Sequence, residues 1–195
     1  RAHWTGERKD GPDHEAYNRR PMFRYNAYFG IHTVHYLTPT AVEGPRPLDL
    51  AGLALGTVSS EATRLLRAGP NALPVLGSWG RRFLSRPDTL LFAAWRDTDG
   101  ELQLLGPLSG RTAGPGTLHL VRANRADPEP PPGSAVAIFG LNLKTESLLV
   151  RGRLSAFRGP RTLRTARLDL DWAYNSMPPL PGPIYPRRKL GTVTI

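Results

Sequence analysis

The chain has no cysteine among its 195 residues. Disulfides, thiolate catalysis and cysteine-held zinc or iron–sulfur centres are therefore excluded, and the redox compartment stays open. Lysine is nearly missing too: of 26 basic residues only Lys9, Lys144 and Lys189 are lysine. No Asn-x-Ser/Thr triplet occurs, which excludes N-glycosylation. No apolar run approaches the roughly 18 residues of a membrane helix, so no membrane-spanning helix is expected. Uninterrupted helices have little room, because 20 glycines and 20 prolines punctuate the sequence. All-α bundles, coiled coils and transmembrane bundles are not expected on that ground.

What is present is positive charge, a formal net +10, nearly all of it arginine. Guanidinium groups grip phosphate and carboxylate in planar, two-pronged geometry. The charge points to an anionic partner: RNA, an acidic protein, anionic lipid or a phosphorylated ligand. A coding bias toward arginine accounts for it equally well, since Ala, Gly, Pro and Leu are abundant as well. The chain opens on Arg1. Removal of a targeting segment, as for an intracellular and organellar protein, or a fragment would each give that start.

Three regions follow from composition. Residues 1–48 read as an irregular arm in which Trp4, Tyr17, Phe23, Tyr25, Tyr28, Phe29 and Tyr36 alternate with Arg8, Lys9, Arg19, Arg20 and Arg24. Such an arm stacks bases and grips phosphates, or packs its rings on its own domain or a neighbouring subunit. Residues 49–188 form the main domain and 189–195 a tail. Within the domain a short helix is expected over 60–68, stopped by Gly69-Pro70, and a second near 78–85 with Trp79 and Phe83 on one face.

From about residue 87 the period becomes that of strands. Leu90–Trp95 is apolar throughout, Asp97-Thr98-Asp99-Gly100 supplies a turn, and Glu101–Leu105 returns. Gly106–Gly116 reads as a loop, Thr117–Arg122 as a strand, and the proline-rich 126–133 as a connection. Ala135–Leu143 reads as a buried central strand. Leu148, Val150, Gly152, Leu154 and Ala156 share one strand face. Beyond the turn Arg158–Arg161, Ala166, Leu168, Leu170 and Trp172 share another. About six strands at hairpin spacing predict a mostly β, mostly antiparallel sheet closed into a barrel with short helices.

Residues 85–188 resemble, in the order of their motifs, the pyridoxamine-phosphate-oxidase-like flavin-binding split barrels, most closely a divergent subgroup of flavin-nucleotide-binding proteins. The carrying segments are Leu90–Trp95, Asp97–Gly100, Gly106–Gly116, Gly116-Thr117-Leu118, Asp127–Gly133, Ile138–Leu141, Lys144-Thr145 through Arg151-Gly152-Arg153, Asn175–Pro178 and Ile184–Arg188. The resemblance implies an FMN-binding split-barrel fold with a long N-terminal extension. It also implies a homodimer with flavin mononucleotide (FMN) at its interface. The cofactor-binding residues it implies are Ser109, Arg111, Thr112, Thr145, Arg151 and Arg153, gripping the FMN phosphate, with no protein acid or base required. The chain departs from the pattern at Glu146-Ser147-Leu148-Leu149, where the family carries arginines, at Ser176 in place of a cysteine, and in an insertion over 179–183.

Two readings follow. One is a flavin-dependent oxidoreductase. The other is a cofactor-free accessory subunit of a large assembly, ribosomal or respiratory, that meets RNA or acidic partners through its arginines. Other motifs carry less. Ser109 stands at the wrong place in Gly106–Gly110 for a nucleophile elbow, and His119 stands where a third dinucleotide-binding glycine belongs after Gly114-Pro115-Gly116. His32 and His35 lack a third metal ligand. His119 reads as a core or interface histidine. Asp169 and Asp171 beside Arg167 read as a salt-bridged strand face, and Arg187-Arg188-Lys189 as solvated.

Overall fold

The computed structural model describes residues 2–19, 33–42, 50–62, 73–122, 128–142, 146–160, 163–175 and 182–185. Contacts divide the chain into two units, Arg1–Pro47 and Leu48–Ile195.

The first unit is more regular than its composition suggests. Strand β1 (Ala2–Arg8) pairs antiparallel with β2 (Val34–Pro39), and helix α1 (Pro12–Asn18) lies between them in sequence. Gly11 at φ +94° turns the chain into α1, and Pro12 opens it, where its missing N–H costs nothing. Asp13 and Glu15 stand in the first turn, near the positive end of the helix dipole. The Tyr36 hydroxyl donates to Asp13 Oδ2 at 2.7 Å, which ties β2 to α1 and raises the phenol pKa above its ordinary value. The aromatic-rich stretch 20–32 lies outside the described residues, as does His32.

The second unit is mostly β. Its strands are β3 (Thr89–Arg96), β4 (Leu102–Thr112), β5 (Thr117–Arg122), β6 (Ala135–Asn142), β7 (Ser147–Leu154), β8 (Arg164–Asn175) and β9 (Gly182–Tyr185). They follow the order β5-β4-β3-β6-β7-β8-β9, and β5 also pairs with β8. That extra pairing closes β3 to β8 into a six-strand antiparallel barrel. Closure removes the free edges an open sheet would expose. The β3–β4 turn is built by Asp97, whose Oδ1 accepts the N–H groups of Asp99 and Glu101 at 3.0 and 2.9 Å, while Gly100 takes φ +81°.

Leu91, Ala93, Trp95, Leu118, Leu120, Val136, Ile138, Leu148, Val150, Leu154, Leu168 and Leu170 alternate inward from their strands to make the core. One end of the barrel is filled by Phe83 and Leu84 of helix α3 (Ser78–Leu84), with Trp79 stacked on Phe83. The opposite end holds a charged plug. Arg122 and Arg164, register partners on β5 and β8, both bond Glu129 Oε1, and Arg122 lies 5.9 Å over the Phe157 ring. The Arg122 side chain is only 3% exposed, so Glu129 is the counter-charge that makes its burial tolerable.

Three expectations change. Most of the helix expected over 60–68 lies outside the described residues; the helix described here is α2, Leu50–Ala62, which begins ten residues before the expected start. Its start is Gly- and Ala-rich with no amphipathic stripe, so periodicity could not find it. Tertiary packing holds it instead: a Cβ at Gly56 would come 2.8 Å from Ser109 Oγ, so only glycine lets α2 lie this close to β4. The loop expected over 106–116 is strand as far as Thr112, because a bulge at Gly106-Pro107 restores pairing between Leu108 and Leu91. Trp172 does not share the inward face of Leu170. Register slips between Arg151 and Gly152, leaving Asp171 as the extra residue on β8, and the tryptophan turns outward opposite Arg151.

Candidate functional site

The outer surface of the barrel has two distinct sides. On the first, α2 covers β4 and β5, and β5 is buried along its whole length. Inward Leu118 and Leu120 enter the core, while Val121 lies on the side facing Gly56 of α2. His119, expected in the core or at an interface, is buried in the same outward row.

On the second side the registry of β3, β6, β7 and β8 sets apolar residues in rows. Ala94, Ala137, Arg151 and Trp172 form one row; Phe92, Phe139, Leu149 and Tyr174 form the next. Leu90 and Leu141 add a third pair, and Leu104 extends the first row onto β4. Leu104 is 70% exposed, Leu102 60%, and Phe139 and Leu141 38% each. Across five strands at about 4.8 Å spacing the patch is roughly 19 Å wide. A monomer rarely leaves so wide an apolar surface in water.

Arginines and flat rings border that patch. Trp172 and Tyr174 stack with ring centroids 5.8 Å apart and planes 5° from parallel. The Arg151 guanidinium lies 5.9 Å from the Trp172 ring centre and meets Asp171 Oδ1 through Nε at 2.9 Å. Arg153, two residues along the same outward face, is exposed and donates to the Gly133 carbonyl at 3.1 Å. Asp169 pairs with Arg167 at 3.1 Å, so both strand-face carboxylates form ion pairs.

Of the six residues implied for FMN, the five described ones do not converge within one chain. Arg151 and Arg153 sit on β7. Ser109, Arg111 and Thr112 sit on β4, three strands away in either direction around the six-strand ring. Ser109 Oγ is under α2, donating to the Leu53 carbonyl at 3.3 Å and 3.4 Å from Thr57 Oγ1. Thr112 is held at the barrel end, its N–H donating to Ser85 Oγ at 3.0 Å and its hydroxyl to the Arg81 carbonyl at 3.3 Å. Arg111 pairs in register with buried His119 on the α2 side. Thr145 lies outside the described residues. Glu146, in the stretch where the family carries arginines, accepts from Asn142 Nδ2 at 2.7 Å and faces Arg86 at 3.4 Å.

A flavin phosphate needs several positive donors free to turn toward it. Arg151 and Arg153 stand beside an apolar, ring-lined surface, each with one bond inside the chain, to Asp171 and to the Gly133 carbonyl, while Ser109 and Thr112 are spent on internal bonds beneath α2 and at the barrel end. The residues missed from sequence are Trp172, Tyr174, Phe92, Phe139 and Leu104. The one available signal was Ala135–Leu143, apolar on both faces. That pattern predicts a strand buried on both faces, yet its outward Phe139 and Leu141 are exposed.

Among the described residues no group of three or more His, Asp or Glu side chains could hold a metal ion. No described helix is long and apolar enough to cross a membrane. No family model, curated protein or solved structure matches the chain.

Proposed function

We propose that the protein is a flavin-binding homodimer of oxidoreductase type, with the outer face of β3, β6, β7 and β8 as both dimer surface and cofactor wall. The observation that carries this reading is the exposed apolar patch bordered by Arg151, Arg153 and the stacked Trp172–Tyr174 pair. A flavin offers a flat apolar ring and an anionic phosphate, and this surface offers a partner for each. The motif order of residues 85–188 supports the same reading. In this account Arg151 and Arg153 hold the phosphate, while Trp172, Tyr174 and Phe139 flank the ring and exclude water. Bound FMN would supply hydride and electron transfer, and the chain itself would supply binding and orientation.

FMN titration followed by flavin fluorescence tests it. The reading requires a Kd below about 1 µM; no binding at tens of micromolar removes it. One observation favours a cofactor-free subunit instead: Arg151 and Arg153 already bond Asp171 and Gly133. On that reading the same face meets a protein partner and FMN does not bind.

A further inference from the structure

A cleft of about 520 Å³ opens between α2, the segment Ser85–Leu90 and β4, next to the apolar face at Leu90. That volume is in the range of sites for small organic molecules, about 300–1,000 Å³. Its walls are mostly hydrocarbon, from Leu53, Ala54, Val58, Pro87, Leu90 and Leu108. Among its lining residues is Thr89, only 5% exposed, whose Oγ1 is buried with no hydrogen-bond partner. A buried hydroxyl without a partner is costly, and a ligand that bonds it recovers that cost. The other cleft hydroxyls differ. Ser109 bonds Leu53, Thr57 lies against Ser109, Ser60 donates to the Thr57 carbonyl, and Ser85 bonds Thr112.

Charge at the rim narrows the ligand. Among the described residues the one cation lining it, Arg86, is held by Asp88 at 2.8 and 2.6 Å and faces Glu146 at 3.4 Å. Two carboxylates around one guanidinium leave no net attraction for an anion. We propose that this cleft is a second ligand site, which borders the face assigned to flavin at Leu90 and is otherwise lined by different residues. It takes a small neutral molecule, largely hydrocarbon, with one hydroxyl or carbonyl set against Thr89 Oγ1.

The probe pair is 1-naphthol and naphthalene, which differ by one hydroxyl. Binding to the full chain is measured by equilibrium dialysis and mapped by backbone amide NMR. The expected result is shifts at Thr57, Thr89, Leu90 and Ser109, and a preference for 1-naphthol of about five-fold, the size of one net hydrogen bond. Thr89→Val keeps the side-chain shape and should erase that preference while leaving naphthalene binding intact. Val58→Trp should block both probes. FMN should displace neither, so this site can fail or stand independently of the flavin reading. Shifts elsewhere, no binding at the solubility limit, a preference that survives Thr89→Val, or displacement by FMN would each overturn the proposal.

Discussion

At the residue scale the account depends on Trp172 and Arg151. Alternation alone assigns Trp172 to the core beside Leu170, and a single extra residue on β8 reverses that assignment. A bulge is a register event between two strands, and no one-strand pattern can reveal it. The arginines were legible because Arg151 and Arg153 alternate with buried Val150, Gly152 and Leu154, which forces them outward. Trp172→Ala removes a ring from the proposed flavin wall and should raise the FMN Kd about ten-fold. Arg151→Ala should do the same, whereas Ser109→Ala, under α2, should leave affinity unchanged. Fluorescence titration of the three variants decides this, and equal losses in all three would move the site to β4. Gly152 carries a separate prediction. A Cβ there would overlap the Asp169 carbonyl oxygen. Gly152→Ala should therefore destabilise the barrel by about 1–3 kcal/mol, read from the urea midpoint.

At the element scale, strands were more legible than helices. Thr117–Arg122 agrees at both ends, and β3, β6 and β7 agree to within a few residues, because period-two alternation and Gly/Pro turns mark them clearly. α2 was missed because tertiary packing holds it. Its Gly52 and Gly56 lower intrinsic propensity, yet Gly56 is what permits contact with β4. The β5–β8 junction tests how the barrel is closed. Glu129 bonds both Arg122 and Arg164, and the Arg122 side chain is almost wholly buried. Glu129→Gln keeps the shape and removes the charge. It should cost about 3 kcal/mol by leaving a buried guanidinium uncompensated. An unchanged urea midpoint would mean that water or another group neutralises the plug.

At the scale of the whole molecule, antiparallel strands at hairpin spacing foretold closure, and the six-strand barrel bears that out. The sequence could not show which outer surface stays bare, because that depends on where α2 lands. The exposed rows of β3, β6, β7 and β8 predict self-association through that face. Sedimentation velocity should give about twice the 21.5 kDa chain mass. The paired substitution Leu104→Glu and Phe139→Glu should return a folded monomer, since both side chains are already exposed. A wild-type monomer at tens of micromolar would separate the apolar face from any dimer.

The most direct measurement is the visible absorption spectrum of the natively purified protein, with chromophore released by heat and quantified per chain. The account predicts flavin bands near about 370 and 450 nm at close to one FMN per chain, lost in Arg151→Ala with Trp172→Ala. A colourless protein that takes up no added FMN would contradict it and leave the barrel as a scaffold for protein partners.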